Sequence, residues 1–161
     1  MAWTLLLAAG QGNRLASATG GLAKQFLDWK GAPLYWESAL VFSRCARVGG
    51  LVFVFPEACI DEERERVAGL MRNASLGIPW KVVAGGALRQ DSVRNGLSAL
   101  PDACMEVLIH DAARPFVSPV LVNRILDGLH GEASGECVAA CIPGIPVVDT
   151  IKVMDEEKKV V

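Results

Sequence analysis

Leu5-Leu6-Leu7-Ala8-Ala9-Gly10-Gln11-Gly12-Asn13-Arg14 decides how the rest of the chain is read. Three leucines and two alanines read as a buried strand. Gly10 and Gly12 end it in a loop that offers bare backbone N–H groups. A Cβ in such a loop would hold the backbone away from phosphate oxygens. Arg14, and Lys24 a short loop downstream, bring two positive charges to the same place. A strand, a glycine turn and two cations suit a polyphosphate. The same pieces also make an ordinary strand-to-helix turn with surface Arg and Lys. Two well-known phosphate loops are excluded. The dinucleotide fingerprint G-x-G-x-x-G needs glycine where Leu15 stands, and a Walker A loop needs a hydroxyl residue where Gln25 follows Lys24.

Composition bounds the rest. A chain of 161 residues, 52% hydrophobic, suits one compact domain with a sizeable core. A net charge of −2 gives no electrostatic footprint for nucleic acid, and no apolar run reaches membrane-spanning length. Trp3–Ala9 is apolar, but no positive n-region precedes it and no small-residue cleavage site closes it cleanly, so it does not read as a secretory signal. The five cysteines show no Cys-x-x-Cys and read as reduced, buried small hydrophobes of a cytoplasmic protein. Cys137 and Cys141 could also share one side of a strand. His110 and His130 lack partners at zinc-ligand spacing.

Along the chain, strands are expected at Trp3–Ala9, Leu51–Phe55, Trp80–Ala84, Glu106–His110 and Cys137–Ile142. Helices are expected at Leu34–Ala46 with Pro33 as a first-turn proline, at Asp61–Asn73, at Arg89–Leu100, and from Ser118-Pro119 to about Leu129. Alternating strands and helices with continuously apolar strands predict a doubly wound α/β fold, its sheet mostly parallel. From Pro143 onward the pattern changes to a β-arm that leaves the domain.

Ligands of such sheets sit at the carboxyl ends of the strands. Gly10–Arg14, Gly85–Ser92 and Asp111–Arg114 all follow strands and should converge on one edge. Asp111 is a lone carboxylate beside the small residues Ala112 and Ala113. It suits magnesium that completes its shell with phosphates and water, or it caps the next turn. Arg114 can meet a second anion with its planar fork, or make a surface ion pair. Ser92 can hydrogen-bond a base or sugar, or simply open a helix. Arg89 can orient that loop.

Together these residues resemble the 2-C-methyl-D-erythritol 4-phosphate cytidylyltransferases. The resemblance is carried by Ala8-Ala-Gly-Gln-Gly-Asn-Arg14, Lys24-Gln25-Phe26, Gly85-Gly86 with Arg89 and Ser92, His110-Asp-Ala-Ala-Arg-Pro115 and Pro146-Val-Val-Asp-Thr150, in the family's order. It implies a Rossmann-like nucleotidyltransferase fold in a single domain, 1–161, with an arm from about residue 143. It implies that Arg14 and Lys24 stabilise charge on the α-phosphate of CTP, and that Ala8, Ala9, Gly10 and Gly12 hold the nucleotide. Gly86, Arg89, Ser92, Asp111 and Ala112 would complete the nucleotide site, with Mg2+ on Asp111. Arg114 and Thr150 would face a sugar-alcohol phosphate, and Thr150 would come from the arm of the second subunit of a homodimer.

The chain departs from the family pattern at Ala23, where proline is frequent, and at Ala87, where aspartate occurs. The family also continues past the arm, so Val161 is expected to end an N-terminal piece of a longer protein, one candidate being a fusion to a later pathway enzyme. Rival readings are a ribitol-phosphate cytidylyltransferase, a CTP-binding module without catalysis, and a dinucleotide binder. Ala8-Ala9-Gly10 and Ala112-Ala113 speak against the first, and Leu15 against the last.

Overall fold

A computed structural model describes residues 1–10, 22–132, 135–146 and 155–156. In chain order they form β1 (Ala2–Leu7), a 3-10 turn (Lys24–Phe26), β2 (Asp28–Trp29), β3 (Ala32–Pro33), α1 (Tyr35–Ser43) and β4 (Val48–Phe55). A second 3-10 turn (Glu57–Cys59), α2 (Ile60–Asn73), β5 (Trp80–Ala84), α3 (Arg89–Ser98), β6 (Val107–Asp111) and α4 (Pro119–His130) follow. The chain divides into two units, Met1–Asn123 and Arg124–Val161.

In the first unit the long strands form a parallel sheet in the order β5-β4-β1-β6. Leu5 sits opposite Val52 on one side and Ile109 on the other, and Phe53 opposite Val82. The central strands are buried on both faces, which is why their sequences are apolar without alternation. Leu5, Val52 and Val54 form a core on the face that α3 covers, with Trp3, Leu7, Val83 and Leu100 packed against it. On the opposite face Phe26, Tyr35, Phe53 and Phe55 form a ring cluster beneath α1, with ring centroids 5.0–6.2 Å apart. The expected doubly wound α/β architecture is what the chain adopts.

Helix ends follow charge. Asp61, Glu62 and Glu63 occupy the first turn of α2 and Arg72 its last, each complementing the helix dipole. Asp91 reaches back to accept from the Leu88 N–H at 3.1 Å and so closes the start of α3.

Three expectations change. Pro33 is not the first residue of a helix; it pairs with Asp28 in a short antiparallel hairpin. Lys30 and Gly31 both have positive φ, 56° and 82°, which is the tight two-residue turn a right-twisted hairpin needs. Cys137–Ile142 is not a strand. The Val138 N–H donates to the Leu129 carbonyl at 3.1 Å and the Cys137 thiol to the His130 carbonyl at 3.2 Å, so this segment turns back on the end of α4. A short apolar run does not by itself distinguish a strand from such a turn. Finally, the cysteines are unpaired as expected, but only Cys45 is buried and Cys137 is exposed. The arm beyond residue 146 lies outside the described residues, apart from 155–156. Among the described residues no helix is long and apolar enough to cross a membrane.

Candidate functional site

The hydrogen-bond ladder of the sheet runs one step past the strand ends and sets the site on it. The Ala8 N–H donates to the Val54 carbonyl at 2.8 Å, Gly85 N–H to Phe55 at 2.7 Å, and Ala112 N–H to Leu7 at 3.0 Å. Three loops thus leave one sheet edge together, as the parallel pattern requires.

Ala8, Ala9, Gly10, Gly86, Ser92 and Ala112 stand at this edge. A Cβ at Gly85 would run into the Ala9 Cβ and the Ser92 Oγ, so the two loops approach only because that residue is glycine. The Gly86 N–H donates to Ser92 Oγ at 3.1 Å, and the Ser92 hydroxyl donates to the Leu88 carbonyl at 3.4 Å. Ser92 is therefore more than a helix-start residue: it ties the glycine pair to α3. Asn95 adds a bond from its amide to the Ala84 carbonyl at 3.0 Å.

Asp111 ends β6. Its Oδ1 accepts from Arg89 Nη2 at 2.9 Å and Nε at 3.3 Å, and its Oδ2 lies 3.5 Å from Arg114 Nε. Its main-chain carbonyl, not its carboxylate, accepts from the Arg114 N–H to close the turn. The carboxylate is about one-third exposed while both arginines are largely exposed, so these bonds are open to exchange with a ligand. Lys24 is exposed on its 3-10 turn. Arg14, Gly12 and Thr150 lie outside the described residues.

The donor set bears on magnesium. Among the described residues no group of three or more His, Cys, Asp or Glu side chains could hold a metal. A single hard carboxylate, partly exposed at a strand end, fits an ion that brings phosphate and water oxygens with it. It does not fit a resident ion caged by protein.

Residues to which the sequence assigned no task hold the loops in place. Gln25 is buried, and its Nε2 donates to both the Ala8 and Gly10 carbonyls at 2.7 Å. His110 Nε2 lies 3.0 Å from the Arg114 carbonyl and 3.0 Å from Ser38 Oγ on α1, and the Ser38 hydroxyl donates to that carbonyl at 3.4 Å. A carbonyl only accepts, so Nε2 carries the proton. Burial holds the His110 pKa below its ordinary value, and the ring lies against Phe42. His110 directly precedes Asp111 in a motif already singled out. Ser38, inside a helix, gave no signal.

Comparison with known proteins now decides the family. The model of the 2-C-methyl-D-erythritol 4-phosphate cytidylyltransferases matches residues 2–161. The chain belongs to this family. A bifunctional enzyme IspD/IspF of Oleidesulfovibrio alaskensis is 52% identical over 154 residues, covering 96% of this chain and 37% of that protein. A 2-C-methyl-D-erythritol 4-phosphate cytidylyltransferase of Alkaliphilus metalliredigens is 31% identical over 157 residues, 98% of this chain and 60% of that one. The chain thus spans less than two thirds of the length of these relatives, little more than a third of the first. A solved 4-diphosphocytidyl-2C-methyl-D-erythritol synthase of Anaerococcus prevotii superposes with a TM-score of 0.72 at 19% identity. The match covers 99% of this chain and 62% of that structure, and it bears out the nucleotidyltransferase fold.

Proposed function

We propose that the chain transfers CMP from CTP to 2-C-methyl-D-erythritol 4-phosphate and releases pyrophosphate, a reading that the name of its family, the 2-C-methyl-D-erythritol 4-phosphate cytidylyltransferases, supports. The observation that carries this reading is the convergence, on one sheet edge of a member of that family, of the Ala8–Gly10 backbone, the Gly85-Gly86 pair with Ser92, and Asp111.

A phosphate oxygen of the sugar-alcohol phosphate forms the new bond to the α-phosphorus. The bond from that phosphorus to the bridging oxygen breaks, and pyrophosphate departs with the electron pair. The nucleophile is already an anion, so no general base is needed, and catalysis is positioning plus charge stabilisation. Lys24, with Arg14, stabilises charge that builds on the α-phosphate. The Ala8–Gly12 backbone holds the triphosphate. Gly86, Ser92 and Ala112 meet the cytidine, Arg89 sets the carboxylate of Asp111, and Arg114 takes the sugar phosphate. Asp111 holds magnesium, which when bound neutralises part of the triphosphate charge. Thr150 reaches the substrate from the arm of a second copy, in a homodimer of the cytoplasm.

The test is magnesium-dependent pyrophosphate release from CTP, with and without 2-C-methyl-D-erythritol 4-phosphate, on the full-length protein. Release that requires the sugar-alcohol phosphate is expected. Lys24→Ala should slow it about a hundredfold, roughly 3 kcal/mol of barrier. Release driven equally well by ribitol phosphate would point to the rival substrate, and CTP binding without release to a binding module.

A further inference from the structure

Lys24 and Gln25 are neighbours on one 3-10 turn with opposite environments. Lys24 is exposed, whereas Gln25 is 4% exposed and enters the protein. One amide nitrogen of Gln25 donates to two carbonyls, Ala8 and Gly10, at 2.7 Å each. Both of its protons are in use. These carbonyls flank Ala9, in the loop that follows β1.

A peptide unit is planar, and its C=O and N–H point in opposite directions. Drawing the Ala8 carbonyl inward therefore turns the Ala9 N–H outward, where it meets no acceptor among the described residues. Glutamine suits this task among the polar residues. Asparagine is one methylene shorter, an ionised glutamate only accepts, and lysine would bury a charge. Phe26, the next residue, fastens the same turn from the other side by packing on Tyr35 and Phe55 at 6.2 and 6.0 Å between centroids.

We propose that Gln25 is a positioning residue for nucleotidyl transfer. By its two bonds it presents the Ala9 N–H to the nucleotide phosphates and fixes where the Lys24 ammonium stands relative to them. The inference rests on the transfer reading above, and its test separates the two.

Gln25→Met keeps length and volume and removes both donors. It is made on the full-length protein alone and together with Lys24→Ala. A residue that acts through Lys24 gives non-additive losses. Gln25→Met is expected to lower kcat on the order of thirtyfold in the native background and less than about threefold when Lys24 is already alanine. CTP affinity, read by calorimetry, should fall by the same factor in both. Equal kcat losses in the two backgrounds, or no loss, would overturn the proposal. An unchanged rate in Lys24→Ala alone would overturn the role of Lys24 and this proposal with it, whereas a native protein that releases no pyrophosphate in the presence of the sugar-alcohol phosphate would overturn the transfer reading.

Gln25→Glu covers the case in which the apolar variant does not fold. Its carboxyl offers one O–H donor when protonated and none when ionised. Its kcat relative to the native protein should fall as pH rises through the titration of that carboxyl, and a ratio independent of pH would count against the proposal.

Discussion

Two carboxylates in the Met1–Asn123 unit each meet guanidinium groups, and water separates their fates. Glu63 is buried. It accepts from the Tyr35 hydroxyl at 2.7 Å and from Arg66 Nη1 at 2.8 Å, joining α2 to α1. Asp111 stands at the open end of β6 with looser bonds, 2.9 Å to Arg89 and 3.5 Å to Arg114. A buried donor or acceptor left unpartnered bears the full cost of its desolvation, so the first arrangement resists change. An exposed ion pair is worth about 1 kcal/mol or less and is screened by salt, so a ligand can replace its partners. The same pair of chemical groups is a fastening in one place and a candidate binding group in the other.

The largest loss of folding stability is therefore expected at Glu63. Glu63→Ala strips the partner from a fully buried tyrosine hydroxyl and opens a gap between α1 and α2. Chemical denaturation should show a loss on the order of 3 kcal/mol, with CTP affinity unchanged. A loss no larger than that at Asp111 would erase the contrast.

Tyr35→Phe comes next, at about 2 kcal/mol, because it leaves the Glu63 carboxylate short of one donor. Burial raises the Tyr35 pKa above its ordinary 10.0, and the hydrogen bond to Glu63 raises it further. The folded pKa exceeds the unfolded one, so this contribution is complete below pH 10 and is lost as pH rises beyond it. The slope is about 1.4 kcal/mol per pH unit while only the unfolded state is ionised. Tyr35 is the sole tyrosine of the chain. Its tyrosinate absorbance should appear only as the chain unfolds; ionisation near pH 10 with the fold intact would show that the hydroxyl is not held as described.

The sheet was legible because its strands are apolar on both faces, and two faces of burial leave a continuous hydrophobic run. The shared edge followed from parallel topology, whereas the order β5-β4-β1-β6 came only with the structure. What escaped was local and depended on neighbours distant in sequence. The Trp29–Ala32 hairpin turns on Lys30-Gly31, a weaker signal than Asn-Gly, and Pro33 beside it imitates a helix start. Cys137–Ile142 has a strand's composition but turns back on α4. At the site, Gly10, Gly86, Arg89 and Asp111 could be named because glycines and charges after strands carry their own meaning, and Ser92 because it opens the helix that follows a glycine pair. Gln25 and Ser38 could not be assigned a task, since a glutamine on a turn and a serine inside a helix acquire one only from the carbonyls they meet, 15 to 76 residues away.

Asp111→Asn gives the smallest effect on folding and decides what the contrast means. The substitution keeps the size of the side chain and one acceptor for Arg89, and it removes the charge. Both arginine partners remain largely in water, so neither is left buried and unpaired. Stability should therefore change by less than about 1 kcal/mol, and still less at high salt. Turnover is where the loss should appear, as a higher magnesium concentration for half-maximal rate and a lower rate at saturation, because a neutral amide is a poorer ligand for a hard cation. A loss of stability comparable to that at Glu63, with magnesium dependence unchanged, would make Asp111 a fastening like the other and remove it from the site.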